Sequence, residues 1–177
     1  MLLMACVMAS VLSLAAAPSW AAADPGTAAR EIEQQFRRGE TSQAQARLAL
    51  ALAQHPDNPS LRFLKAVLLS ETEHSAEAAA LFERLTQEFP DLPEPYNNLA
   101  VLQAAAGRLD AARGLLETAL RLDPAYRTAH ENLGDVLVRL AQRAFEAAAV
   151  PRNATSPRTD AGLSNKLRLV RELTALR

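Results

Sequence analysis

Three histidines and one cysteine are the side chains of this chain best suited to metal binding, proton transfer or nucleophilic attack. His55, His74 and His130 are far apart, and none stands in a metal-binding motif such as His-Glu-x-x-His. Cys6 is the only cysteine and lies in an N-terminal stretch that the mature protein is expected to lack. No serine stands in a nucleophile motif, and the six glycines occur singly, which excludes a glycine-rich phosphate loop. The sequence therefore predicts no catalytic residue, no metal site and no cofactor.

The composition indicates that packed α-helices position any site in this chain. Of its 177 residues 49% are hydrophobic and only 5% are aromatic, and alanine and leucine supply most of the apolar content. This balance favours close-packed helices over sheets. A net charge of −1, with 22% charged residues, argues against wholesale disorder and against a nucleic-acid binder built on positive charge.

A period of 34 residues organises the chain between residues 25 and 126. Pro56, Pro90 and Pro124 are separated by this step, and small and large apolar residues repeat with it. The matched sets are Ala44, Ala78 and Ala112, then Leu48, Phe82 and Leu116, then Ala51, Leu85 and Ala119. The period predicts three repeats, at 25–58, 59–92 and 93–126, and a degenerate fourth repeat that begins at residue 127.

Residues 93–126 show the pattern at its clearest and resemble the tetratricopeptide repeat (TPR) family, whose unit is a helix–turn–helix of this length. Ala100 and Ala112 are small, as two closely crossing helices require. Leu116 is expected to fill the gap to the following repeat. Gly107 permits a left-handed turn between the helices, and Pro124 ends the second helix. The resemblance implies an all-α fold, a solenoid of stacked helix pairs.

The resemblance also implies a concave groove, lined by the first helices, that takes an extended or helical peptide. Asn98 and Asn132 are one period apart and are expected to stack in register there. Their amides could grip a peptide backbone, because an amide both donates and accepts hydrogen bonds; a structural role between repeats explains them equally well. The other candidate groove residues are Phe63, Val67, Val101, Asn97, Asp135 and Arg139. The carboxylate clamp of some TPR proteins needs Lys and Arg where this chain has Val101 and Glu131, so that subtype is not predicted.

The period breaks after residue 126. The apolar spacing predicts one long helix of about 22 residues up to residue 149, then a polar linker at 150–162 and a last helix at 163–177. In that last helix an apolar stripe is expected to cap the open end of the array. The stripe comprises Leu163, Leu167, Val170 and Leu173. Leu167 and Val170 are expected to be buried against the long helix, which contains Leu137, Leu140 and Ala144.

Residues 1–23 contain no charged side chain and predict an export signal that is cleaved after Ala21 or Ala23. The basic start of such signals is missing. A retained membrane anchor at residues 2–17 and a lipoprotein signal at Cys6 are the alternatives, although Pro18 interrupts the apolar run before the roughly 20 residues needed to span a bilayer.

Export and fold together predict a periplasmic, non-enzymatic scaffold or adaptor of the bacterial cell envelope that binds another protein or a peptide segment. Nucleic acid is not an expected partner, and a membrane is one only if residues 2–17 are retained. Two alternatives remain open. One is a membrane-tethered adaptor, and the other is an accessory subunit that regulates an envelope enzyme, such as a peptidoglycan-remodelling one.

Overall fold

The computed structural model describes residues 24–149 and 161–175 of the chain, and these residues form eight α-helices without a strand. The helices are α1 (Pro25–Arg37), α2 (Thr41–Gln54), α3 (Pro59–Glu71), α4 (Ser75–Glu88), α5 (Pro93–Ala105), α6 (Leu109–Leu122), α7 (Arg127–Ala149) and α8 (Ala161–Ala175). The predicted all-α solenoid is confirmed. The predicted export signal and most of the predicted linker lie outside the described residues.

Prolines begin the first helix of each of the three repeats. Pro25, Pro59 and Pro93 start α1, α3 and α5. A proline at the first position of a helix loses no hydrogen bond, because the first N–H groups of a helix have no partner within it. The side chains of Asp24 and Asn58 accept hydrogen bonds from backbone N–H groups in the first turns of α1 and α3.

The turn between the two helices of a repeat passes through a left-handed residue. Gly39 and Gly107 have φ values of +84° and +79°, and Glu73 takes the same place in the second repeat with φ +61°. Glycine adopts this conformation without strain, whereas an L side chain there is strained. The role predicted for Gly107 is confirmed.

Alanines lie at the crossing points of the second and third helix pairs, Ile32 takes the first-helix position in the first pair, and larger side chains fill the space between repeats. Ala100 and Ala112 are both completely buried where α5 and α6 cross. Leu116 packs with Val136 of α7, as the spacing predicts. In the preceding repeat, Phe82 packs in the same way against Leu99 of α5. The core is therefore a row of three apolar clusters along the array.

The C-terminal helices pack less completely than the repeats. α8 lies against α7, with Leu167 buried and the Arg171 guanidinium 3.3 Å from the Glu146 carboxylate. Val170 is only half-buried and Ala144 is exposed. The predicted burial against α7 is therefore confirmed for Leu167 and wrong for Val170.

α8 covers only one side of α7. Leu137 is 46% exposed, because it and Ala144 lie on the side of α7 opposite Glu146. α8 instead covers the side that carries Phe145, over whose ring the Lys166 ammonium lies 5.8 Å from the centroid. α8 also begins two residues earlier than the predicted boundary at residue 163.

Candidate functional site

The first helices of the repeats form the inner side of a curved array. α1 contacts α3, α3 contacts α5 and α5 contacts α7, whereas the second helices barely touch one another. A stack that is closer on one side bends toward that side. The inner face is therefore built from α1, α3, α5 and α7, and it carries two cavities.

The larger cavity lies between α1, α3 and α5 and has a volume of about 450 Å³. Phe63 and Val67 of α3 contribute a half-buried apolar wall. The Phe63 ring is held edge-on against Phe82, with 5.6 Å between the ring centroids. The charged lining residues are Arg30, Glu33 and Glu94. This arrangement suits a bulky apolar side chain that enters between charged groups.

The smaller cavity lies between α5 and α7 and has a volume of about 160 Å³. Its apolar side includes Val101, which is 45% exposed. Its polar side consists of Asn132, Asp135 and Arg139, all half-buried on α7. An amide, a carboxylate and a guanidinium on one wall can donate to and accept from the polar backbone of a bound chain.

No hydrogen bond joins Asn98 and Asn132, the two residues that are expected to stack in register. Asn132 instead donates from Nδ2 to Oδ1 of Asn97 at 2.8 Å, and Asn97 is only 4% exposed. Asn98 donates to the backbone carbonyl of Glu94 in its own helix at 2.9 Å and lines neither cavity. Equivalent residues of stacked repeats point in the same direction and therefore do not face each other. A hydrogen bond between neighbouring helices joins residues at different repeat positions instead, as Asn97 and Asn132 show.

Six of the eight predicted groove residues line the two cavities. Phe63 and Val67 line the larger one, and Val101, Asn132, Asp135 and Arg139 line the smaller one. Asn97 lies beneath Asn132, and Asn98 lies apart. Their role in ligand binding stays a prediction.

Sequence reasoning missed the N-terminal ends of the first helices. Gly26, Ser60 and Glu94 occupy the same repeat position, and all three line the larger cavity. Their spacing of one period was the signal that could have revealed them.

Burial raises the pKa of the Tyr126 phenol, and the carboxylates of Glu94 and Asp123 raise it further.

The positions that a carboxylate clamp would occupy carry no free cation. Val101 is apolar, and the Glu131 carboxylate pairs with Arg127 at 2.8 Å. Within residues 24–149 and 161–175, no three His, Cys, Asp or Glu side chains are grouped to hold a metal ion. Every helix in the described part of the chain is too short or too polar to cross a membrane.

A family model described as tetratricopeptide repeat matches residues 35–102 and 74–133, which together make up more than half of the chain. Among curated proteins, the TPR repeat-containing thioredoxin TTL4 of Arabidopsis thaliana is 39% identical over 67 residues, which are 38% of this chain. The match spans only 10% of that relative's own length.

Several solved structures share the fold. The Sgt2 TPR domain from Aspergillus fumigatus has a TM-score of 0.62 at 18% identity, covering 78% of this chain and 92% of that one. The first TPR of Spaghetti (RPAP3), bound to the HSP90 peptide SRMEEVD, has a TM-score of 0.58 at 19% identity, covering 66% and 93%. MamA from Desulfovibrio magneticus RS-1 has a TM-score of 0.56 at 17% identity, covering 87% and 77%.

Proposed function

The chain belongs to the tetratricopeptide repeat family, and from that premise we propose that it is a non-enzymatic scaffold that binds a protein or peptide segment along its inner face. The observation that carries the proposal is the cavity of about 450 Å³ walled by Phe63 and Val67. An open apolar cavity on the inner face of a curved array offers a broad binding surface without an arrangement of reactive groups.

The lining residues favour a segment with an apolar anchor. A large apolar side chain fits the larger cavity, and its neighbours in the segment meet the polar wall of Asn132, Asp135 and Arg139. The Spaghetti structure holds an HSP90 peptide that ends in Glu-Val-Asp. We propose a different ligand chemistry here, because Val101 and the paired Glu131 place no cation at these two positions of a carboxylate clamp.

We propose the bacterial cell envelope as the place of action, with the periplasm as the compartment. The support is the uncharged apolar stretch of residues 1–23 with its small residues before Ala21 and Ala23. Mass spectrometry of the protein from fractionated cells tests this. A new N-terminus after Ala21 or Ala23 is expected, whereas an intact Met1 in the membrane fraction would favour the tethered adaptor.

Substitution on the inner face tests the binding proposal. The full chain is used to select peptides from a displayed random library, and the dissociation constant of a selected peptide is measured by fluorescence anisotropy. Val101→Arg places a bulky charge in the groove and should weaken binding at least tenfold, equivalent to about 1.4 kcal/mol. Leu50→Arg is the matched control, because Leu50 is 53% exposed on α2, away from both cavities.

The control separates a groove effect from a general one. Leu50→Arg should leave the dissociation constant within twofold of that of the unchanged chain. If both substitutions weakened peptide binding equally, or if the Val101→Arg variant still bound the peptide tightly, the peptide would bind elsewhere. Either result would contradict the inner-face site. Thermal melts of both variants confirm that each is folded when the titrations are run.

A further inference from the structure

A separate cavity of about 400 Å³ lies between α2 and α3, away from the inner face. Lys65 of α3 lines this cavity and stands two residues from both Phe63 and Val67, which is about 200° around an α-helix. Phe63 and Val67 wall the larger inner-face cavity, so Lys65 lies on the opposite side of α3. The cavity at Lys65, which we call the outer cleft, is therefore a site of its own.

The outer cleft is elongated, because α2 and α3 each contribute one stripe of side chains to it. On each helix the lining residues follow the spacing i, i+3, i+4 and i+7, which is one side of an α-helix over two turns. At a rise of about 1.5 Å per residue, the cleft is about 10 Å long. Its lining residues are Gln45, Leu48, Ala49 and Leu52 of α2 and Lys65, Leu68, Leu69 and Thr72 at α3.

The outer cleft exists because the repeat pattern is broken at Lys65. Both α5 and α7 carry a leucine at this repeat position, and Leu99 is buried in the same apolar cluster as Phe82, between the second and third repeats. Lys65 is exposed instead, while Leu48 and Leu68 are buried at the floor of the cleft. The first interface between repeats is thus left open where the second one is filled.

The outer cleft combines an aliphatic wall with a single positive charge. No Asp or Glu is among its lining residues, and within residues 24–149 and 161–175 the Lys65 ammonium forms no ion pair. The Thr72 hydroxyl already donates to the Leu68 carbonyl at 2.8 Å. Backbone groups on both walls are bonded within the helices. A ligand in this cleft therefore meets leucine side chains along its length and an ammonium group at one end.

We propose that the outer cleft binds one medium-chain fatty acid, with its carboxylate at the Lys65 ammonium and its acyl chain along the leucines. An ammonium and a carboxylate form a charge-assisted hydrogen bond, and the acyl chain removes apolar surface of the cleft from water. With C–C bonds of about 1.5 Å, an extended chain of about eight carbons spans the length of the cleft. A peptide is disfavoured, because its backbone would find few hydrogen-bonding partners on these walls.

Three probes that share one alkyl chain test the charge and the chain separately. Decanoate is titrated into the purified full chain by isothermal titration calorimetry, below the concentration at which it forms micelles. Saturation at one decanoate per chain is expected. Decanol lacks the charge and decylammonium carries the opposite one, so each should bind at least tenfold more weakly. Equal binding of the three probes, or several decanoates per chain, would show non-specific adsorption and overturn the proposal.

Substitutions of Lys65 test the carboxylate contact. Lys65→Met removes the charge but keeps an unbranched side chain, and it should weaken decanoate binding at least tenfold, whereas Lys65→Arg keeps a cation and should stay within threefold. Lys166 of α8 is the only other lysine in the sequence and lies outside the cleft, so Lys166→Met is the matched control and should stay within twofold. Equal weakening by Lys65→Met and Lys166→Met would contradict the assignment.

Two exposed alanines of α2 test the place of the acyl chain. Ala49 lines the outer cleft and Ala46 does not. Ala49→Leu fills part of the cleft and should weaken decanoate binding at least fivefold, while Ala46→Leu should leave it within twofold. Equal effects of the two alanine substitutions would place the acyl chain elsewhere and overturn the proposal.

The inner-face variant keeps this test independent of the proposed function. Val101→Arg should leave decanoate binding unchanged, so either site can fail without the other. A chain that does not bind decanoate, but whose affinity for a library-selected peptide falls on Lys65→Met, would show that the cleft takes an acidic peptide instead. That result would overturn the fatty-acid proposal.

Discussion

Replacing Asn132 by alanine should destabilise the array although the Asn132 side chain is only half-buried. Its Nδ2 donates at 2.8 Å to Oδ1 of Asn97, and Asn97 is 4% exposed. The substitution leaves that buried oxygen without its donor, which costs about 1–3 kcal/mol. For a chain of this size a loss of about 2 kcal/mol lowers the melting temperature by about 4–8 °C. Urea unfolding and thermal melts followed by circular dichroism measure both quantities.

Asn98 provides the matched control for this prediction. It carries the same amide on the same helix as Asn97, but it donates to the backbone carbonyl of Glu94 in its own helix. Asn98→Ala should therefore change the free energy of unfolding by less than about 0.5 kcal/mol. Equal destabilisation by Asn98→Ala and Asn132→Ala would refute the reasoning.

A double variant of Asn97 and Asn132 tests whether the two side chains depend on the hydrogen bond between them. With both residues changed to alanine, no buried oxygen is left without a donor. The double variant should cost less than the sum of the single variants, by about 0.5–3 kcal/mol of coupling energy. Costs that simply add would show that the two amides do not depend on each other in the folded protein.

Further predictions concern the stability of the second and third repeats. Glu73→Gly should raise the free energy of unfolding by about 0.5–1 kcal/mol, because it removes a side chain from a residue with left-handed backbone conformation. Gly107→Ala should lower the free energy of unfolding by a similar amount for the opposite reason. Urea unfolding measures both changes. Lys65→Leu should raise the melting temperature, since Lys65 lines an open apolar cavity of about 400 Å³ between α2 and α3 that a leucine can partly fill. The Arg62 guanidinium holds the pKa of the Glu88 carboxyl below its ordinary value of 4.5. This ion pair should therefore stabilise the fold fully above that pH. Its contribution should be lost as the pH falls through the pKa of Glu88 in the folded protein. Arg62→Gln should flatten this part of the acid unfolding curve, and an unchanged slope would contradict the assignment.

The helices could be predicted from the sequence because each period carries its own local signals. The small residues at the crossing points and the glycines in the turns act within one repeat, so they can be read from the chain directly. The partner of Asn132 could not be found in this way. It depends on the rotation between stacked helices, which brings a neighbouring repeat position, Asn97, into contact instead of the equivalent Asn98.

Departures from the period mark the places where the structure differs between repeats. Lys65 stands where α5 has the buried Leu99, and the interface between the first two repeats has an open cavity beside it. Ala141 stands where a turn glycine is due, and α7 continues to Ala149 without a turn. A sequence shows that such a position is unusual. It does not show which face of the helix is uncovered as a result, because that depends on where α8 returns.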